Sequence, residues 1–186
     1  MVKTVAPYVA SRGRSVLLTV VRESIETERL MLLRPTLADL DDFFAIDGDP
    51  LTHLHNPAGP DTTIETSERR LRSYMDDWTT FGIGYWIVRL KPDSDIIGIA
   101  GLRSVELLDR EVLNLYYRFK PVAWGNGFAT EVARAALDVA CKDFPGLPVV
   151  ARTRPTNEPA MAVARKIGLE RRLELEGEYV VFTSQW

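Results

Sequence analysis

Three strand-like runs follow one another with no helix between them: Tyr85 to Leu90, Ile96 to Leu102 and Val112 to Phe119. The first two are joined by Lys91-Pro92-Asp93-Ser94-Asp95, whose residue types fit a hairpin connection. The third extends the same antiparallel meander after the charged segment Glu106 to Glu111. Strand and helix patterns alternate on either side of this meander, which implies a mixed α/β sheet.

Upstream, Leu30-Met31-Leu32-Leu33 reads as a buried strand that Pro35 ends by removing a ladder donor. Thr36 offers an N-cap oxygen and Asp39, three residues on, a carboxylate variant of the capping box, so a helix opens there carrying Leu40, Phe43, Phe44 and Ile46. A polar loop from Gly48 to Thr63 precedes Leu71, Tyr74, Met75 and Trp78, whose i, i+3, i+4, i+7 spacing marks a helix face closed by Gly82 and Gly84. Downstream, Val132, Ala136, Val139 and Ala140 recur at helical spacing until Phe144-Pro145-Gly146. Val149 to Arg154 is a strand, Asn157 caps a short helix through Ile167 with Gly168 past its end, and Glu178 to Phe182 is a last strand. The first 25 residues carry Arg12, Gly13, Arg14 and the β-like run Val16 to Val21, and are a tail, an added strand or a dimer arm.

At 186 residues with 46% hydrophobic and 26% charged side chains, the chain suits one globular domain, which we place at residues 26–186 behind an N-terminal extension, residues 1–25. A net charge of −3 gives no basic field for nucleic acid, so a small molecule or peptide is the better partner. The single cysteine, Cys141, rules out an intrachain disulfide and fits a reducing compartment. The apolar stretch Val16 to Val21 is too short to span a bilayer, so the expected location is the cytoplasm, with no membrane partner, as a monomer or homodimer.

Gly125-x-Gly127 lies directly between the third meander strand and a helix. Two positions without a side chain let the backbone approach an anion closely, and the helix start adds unpaired N–H donors with about +0.5 of an elementary charge. By itself such a pair of glycines is also simply a tight turn. The absence of Gly-Lys-Ser or Gly-Lys-Thr argues against a nucleotide triphosphatase, and the spacing is not the three-glycine dinucleotide fingerprint.

In context, Asn114 to Val132, with Pro121, Trp124, Gly125, Gly127, Ala129, Thr130 and Glu131 in register, resembles the acetyl-CoA motif of the GNAT superfamily, in particular its ribosomal-protein N-terminal (alanine/serine) acetyltransferase branch. Three further blocks match in order: Thr27-x-Arg29-Leu30 with Arg34, Gly98-x-x-Gly101-Leu102, and Asn157 leading to Lys166-Ile167-Gly168-Leu169. The resemblance implies a GNAT fold: a mixed, mostly antiparallel sheet of about six to seven strands, flanked by about four helices. Strands 4 and 5 of that sheet, Leu115 to Phe119 and Val149 to Arg154, are expected to splay into a V. It implies acetyl-CoA as co-substrate and no metal. Backbone groups of Tyr117 and Phe119 are expected on the pantetheine, and the loop Trp124, Gly125, Asn126, Gly127, Phe128, Ala129, Thr130 on the diphosphate. Asn157 is expected beside the pantetheine arm and Arg165 at the nucleotide end.

Three positions depart from the family's pattern. Val122 stands where Arg or Gln is common, Asn114 where Glu is common, and Ala160 where Ser is common. Asn is no general base, and Ala neither donates nor accepts a proton. The expected reaction is direct attack of a neutral amine on the thioester in a ternary complex, the oxyanion held by a backbone N–H of the Tyr117 to Phe119 strand. A protein N-terminus, with an α-amino pKa of about 7.7–8.0, or a small-molecule amine is the expected acceptor. Candidate proton handlers are Tyr179, Tyr117, Glu131 and Glu178. The alternative is a CoA-binding module that has lost catalysis, and a third reading is a different acyl donor.

The remaining polar features have plain readings. His53 and His55 lack the Cys or spaced carboxylate partners of a metal site, and the resemblance implies that their loop lines the acceptor pocket; Trp78 and Trp86 read as core. Asp39, Asp41, Asp42, Asp47 and Asp49 read as a solvated face, as do Arg69, Arg70 and Arg72.

Overall fold

The computed structural model describes residues 22–186, so the run Val16 to Val21 and Arg12 to Arg14 lie outside the described residues. The sheet has eight strands, in chain order β1 (Ser24–Glu26), β2 (Leu30–Leu33), β3 (Tyr85–Leu90), β4 (Asp95–Leu107), β5 (Arg110–Phe119), β6 (Val149–Thr153), β7 (Glu170–Arg171) and β8 (Val180–Thr183). Their spatial order is β1-β2-β3-β4-β5-β6-β8-β7. Every neighbouring pair is antiparallel except β5 and β6. The two strands beyond the expected number are the short edges β1 and β7. β1 also crosses the boundary placed at residue 25 and pairs Ile25 with Leu32.

Four helices flank the sheet: α1 (Leu40–Asp47), α2 (Ile64–Phe81), α3 (Phe128–Asp143) and α4 (Glu158–Lys166). The helix expected after Thr36 begins as a short 3-10 turn, Leu37–Asp39, in which Asp39 accepts from the Thr36 N–H at 2.8 Å and from its hydroxyl at 2.9 Å. α2 is capped by Thr63 and ends at Gly82, whose left-handed φ of 69° only glycine adopts cheaply. Period-two alternation in β3 sends Tyr85 and Ile87 to the α1 and α2 side, with Phe43, Leu71 and Tyr74. Trp86 and Val88 go to the α3 side, with Leu102, Leu115, Val132 and Ala136. Trp78 and Trp86 are both core, 3% and 0% exposed.

The Gly98-x-x-Gly101 block has a packing cause. A Cβ on Gly98 would fall 2.5 Å from the Phe119 ring, and one on Gly101 2.6 Å from the Trp86 ring. These two aromatic side chains lie flat on β4 only because it is bare there. The charged segment Glu106 to Glu111 is less of a loop than expected: β4 and β5 continue through it, Glu106 faces Glu111, and only Leu108 and Asp109 form the turn, both at positive φ.

β5 and β6 pair only at Leu113–Val149 and Asn114–Val150. Beyond those registers the strands part, which is the expected V, here between the fifth and sixth strands because β1 precedes them. Among the described residues no helix is long and apolar enough to cross a membrane.

Candidate cofactor and acceptor site

The open end of the V leads into the glycine loop. Gly125 and Gly127 have φ of 78° and 80°, so both occupy the left-handed region. A Cβ on Gly125 would meet nothing within 4 Å, and one on Gly127 only Arg29 Nη2 at 3.8 Å. Glycine is therefore demanded by backbone angle and by the open space in front of the loop, not by crowding. Gly127 is the N-cap of α3 and has no side chain to cap it, and the first helical bond runs from the Glu131 N–H to the Gly127 carbonyl at 3.1 Å. The Phe128, Ala129 and Thr130 N–H groups precede that bond and are the donors an anion would take.

The loop is braced from behind. Asn126 Nδ2 donates to the Ala123 and Trp124 carbonyls at 3.2 and 3.1 Å, and Trp124 Nε1 donates to the Phe119 carbonyl at 2.9 Å. Arg29 Nη1 donates to the Asn126 carbonyl at 2.9 Å, while its guanidinium lies 4.6 Å over the Phe128 ring. Arg29 also reaches Glu131, whose carboxylate accepts from Thr27 Oγ1 at 2.6 Å, from the Arg29 N–H at 2.9 Å and from Arg29 Nε at 2.8 Å. Burial works against ionisation of Glu131, but these hydrogen bonds outweigh it and hold its carboxyl below the usual range. Both oxygens are committed to clamping the β1–β2 turn onto α3. Glu131→Ala is expected to cost about 1–3 kcal/mol of stability in urea denaturation by freeing that turn, and to leave acceptor chemistry intact.

Tyr117 and Phe119 point their backbone toward the gap. The Leu113 N–H donates to the Pro148 carbonyl at 2.8 Å on the β6 side, and alternation along the strand aims the N–H and C=O of Tyr117 and Phe119 the same way, past the last β6 partner. The Phe119 carbonyl is already taken by Trp124. The Tyr117 hydroxyl crosses the V and donates to the Ala160 carbonyl at 3.1 Å, and burial pushes its pKa well up. Asn157 Oδ1 caps α4 by accepting from the Ala160 N–H at 3.2 Å. Arg165 lies 3.6 Å from Glu158 and 5.9 Å over the Phe182 ring. A groove of about 650 Å³ runs from Gly127 and Thr130 along α3, and it is lined by Arg29, Arg134, Lys142 and Lys166 rather than Arg165.

Tyr179 departs from the expected geometry. β8 begins at Val180, so Tyr179 precedes the strand, and its ring lies 5.0 Å from the Arg152 guanidinium and 4.7 Å from that of Arg154. Glu178 is 76% exposed and 3.7 Å from Arg154. On the other face of the sheet, Asn114 Nδ2 donates to Tyr85 Oη at 2.8 Å, and Tyr85 stacks on Tyr116.

Beneath Tyr116 lies an ionic network that reverses the solvated reading of Asp47, with the 39%-exposed Arg70 at its rim. Asp47, 1% exposed, accepts from Arg118 Nη1 at 2.9 Å and lies 3.2 Å from Arg70 Nε. Arg70 also donates to Asp61 at 2.6 Å, and Ser67 donates to the same carboxylate at 2.8 Å. His53, 5% exposed, contacts Arg118 through Nε2, and burial together with that cation pushes its pKa down. His53 therefore does not line the acceptor side. Asp39 is likewise buried, at 6% exposure, and paired with Arg89 at 2.7 Å. Opposite charges this far apart in sequence carry no periodic signal, so only the fold reveals them. Among the described residues no group of three or more His, Cys, Asp or Glu is placed to hold a metal ion.

A mixed sheet opened at its one parallel pair, with an uncapped helix N-terminus at the mouth, is the architecture of an acyl-CoA acyltransferase fold. The chain belongs to the acetyltransferase (GNAT) domain family, which matches residues 29–170. It is similar to an acetyltransferase structure from Agrobacterium tumefaciens, at TM-score 0.77 and 24% identity, with 94% of this chain and 100% of that one covered. Microcin C7 self-immunity acetyltransferase MccE, solved with acetyl-CoA and AMP, has TM-score 0.68 and 14% identity over 85% of this chain and 93% of its own. The protein YkkB of Bacillus subtilis is 32% identical over 89 residues, 48% of this chain, so the chain spans about half the length of that relative, 52%.

Proposed function

We propose that this chain transfers the acetyl group of acetyl-CoA to a primary amine, either a protein N-terminus of the ribosomal type or a small-molecule amine, by direct attack in a ternary complex. The observation that carries the reading is the continuity of the V with the glycine loop. Unpartnered backbone of Tyr117 in the gap leads straight to three free N–H donors at the start of α3. An extended amide-bearing arm fits the first and a diphosphate the second.

The residues assigned to the co-substrate are Tyr117, Phe119, Trp124, Gly125, Asn126, Gly127, Phe128, Ala129, Thr130 and Asn157. Phe119 serves through its N–H, and Trp124 and Asn126 serve by shaping the loop. The groove along α3 takes the nucleotide end, with Arg29, Arg134 and Lys166 supplying charge, and Arg165 lies outside its lining. The bound thioester supplies the acyl carbon. The chain's part is to hold it in line with the amine, with the Tyr117 N–H placed for the oxyanion. Glu131 is assigned to the β1–β2 clamp and Tyr179 to its contacts with Arg152 and Arg154. The exposed, unpaired Cys141 supports a reducing cytoplasm as the location.

One observation favours a second reading. Asn114 is tied to Tyr85 and Ala160 offers only backbone, so the two positions where the family commonly places Glu and Ser hold no proton-transfer group. A CoA-binding module without catalysis would result. The test is free-thiol release from acetyl-CoA over a panel of amines and N-terminal peptides, beside mass spectrometry of amines acetylated on expression. Acceptor-dependent thiol release supports the transferase, and tight binding with no release for any acceptor supports the module.

A further inference from the structure

The loop between α1 and α2 spans the V, touching β5 where His53 meets Arg118 and the opposite wall through His55. His55 Nδ1 lies 3.3 Å from Thr156 Oγ1, which joins that loop to the β6–α4 connection. Thr156 immediately precedes Asn157, the cap of α4, and the first turn of α4 carries the Ala160 carbonyl that receives the Tyr117 hydroxyl. The V is thus bridged twice, deep in the gap by Tyr117 and at its rim by His55. His55 is half-buried, and its Nδ1 edge is the one set against Thr156.

Of the other candidate proton acceptors, Glu178 stands 76% exposed and 3.7 Å from Arg154, and the rest are held by partners. Glu131 has both oxygens in hydrogen bonds. His53 is buried, against Arg118 at Nε2 and Asn56 at Nδ1. Tyr117 donates to a carbonyl, and the Tyr179 ring is packed against the Arg152 and Arg154 guanidinium groups. Asn114 is not a base. Resting on the acyl-transfer reading above, we propose that His55 is the general base for the acceptor amine. Nδ1–H donates to Thr156 Oγ1, which fixes the tautomer and leaves the lone pair on Nε2; Thr156 is a positioning residue.

The bond changes balance without a further reactant. Nε2 takes one proton from the acceptor ammonium, and the freed nitrogen forms the C–N bond at the thioester carbon. The C–S bond breaks, the departing thiolate takes the second nitrogen proton, and His55 returns its proton to solvent. Histidine suits this task because its ordinary pKa, about 6.5, lies just below that of an α-amine, about 7.7–8.0. Of the charged residues on the elements that meet there, Arg154 and Glu158 belong to the β6–α4 side, Asp49 and Asp61 to the loop that carries His55, and Asp47 and Arg118 to α1 and β5. Asp61, Asp47 and Arg118 are already paired with one another or with Arg70.

The test follows kcat/KM against pH, by thiol release from acetyl-CoA with peptides bearing free N-terminal Ala or Ser and with small amines. It compares wild type, His55→Gln, His55→Ala and Thr156→Val. His55→Gln is expected to lose about 100-fold in kcat, with acetyl-CoA affinity unchanged within about twofold, and to lose the ascending limb that wild type shows on the acid side. Free imidazole is expected to restore part of the rate in His55→Ala, and Thr156→Val is expected to lose several-fold in kcat. A His55→Gln enzyme that keeps the wild-type rate, or that slows with the same pH profile and no imidazole rescue in His55→Ala, overturns the assignment and leaves the transferase reading standing. Wild type that binds acetyl-CoA but releases no thiol with any acceptor overturns both.

Discussion

Gly125→Trp is expected to raise the Kd for acetyl-CoA by more than about 100-fold, equal to at least ~2.8 kcal/mol at about 1.4 kcal/mol per decade. Two effects add. A side chain at φ 78° carries a left-handed backbone penalty of about 1–2 kcal/mol, which the loop relieves by abandoning the angle that aligns its N–H donors. The indole also enters the open space in front of the loop, where no protein atom lies within 4 Å of the new Cβ. Because nothing there is displaced, the variant should still fold, and far-ultraviolet circular dichroism with calorimetric titration separates loss of binding from loss of structure. A folded Gly125→Trp protein with wild-type affinity would remove the loop from the site.

Asp47→Ala is expected to destabilise the fold by about 3–5 kcal/mol, the usual result of deleting one partner of a buried ion pair. Asp47 has 2% side-chain exposure and serves Arg118, itself only 12% exposed. Its removal strands the Arg118 cation beneath Tyr116 and loosens Arg70. Urea denaturation gives the loss, and the double variant Asp47→Leu with Arg118→Met should recover much of it, since no charge is then left uncompensated. A loss under 1 kcal/mol would mean that water or Asp61 replaces the carboxylate.

The same network makes stability depend on pH. Burial beside Arg118 lowers the folded-state pKa of His53, so below about pH 6.5 the unfolded chain binds a proton that the folded one refuses. His53 therefore favours folding above its unfolded pKa and the contribution is lost as pH falls. Asp77 acts in the opposite sense: burial, opposed by Arg103, raises its carboxyl to about 6, so the folded state gains as pH drops from there toward the unfolded value. The difference in slope between wild type and His53→Gln across this range isolates the histidine. An identical slope in both would place the His53 proton in the folded state as well.

Much of the architecture is legible along the chain because its causes are local. Periodicity marks α2 and α3, apolar runs mark the six longer strands, and Thr36, Gly82, Asn157 and Gly168 bound the helices with caps whose chemistry acts over three or four residues. The edges β1 and β7 escaped because strands of three and two residues hold too few side chains to show a period. The expected last strand begins at Glu178 and the observed one at Val180, since Tyr179 beside Val180-Val181-Phe182 has the composition of a strand while its arginine partners, Arg152 in β6 and Arg154 just after it, come from elsewhere in the chain.

By itself, then, the sequence determined a mixed sheet with a central meander and a glycine turn poised at a helix start, because hydrophobic period and backbone angle are written residue by residue. Tertiary structure alone decided what the charged residues do. It moved Asp47 from a solvated face into a buried network with Arg118 and His53, with Arg70 at its rim. It also closed Glu131 onto Thr27 and Arg29 across about a hundred positions, and set His55 against Thr156. An ion pair or a hydrogen bond needs only that two groups meet in space, and no spacing along the chain announces that meeting.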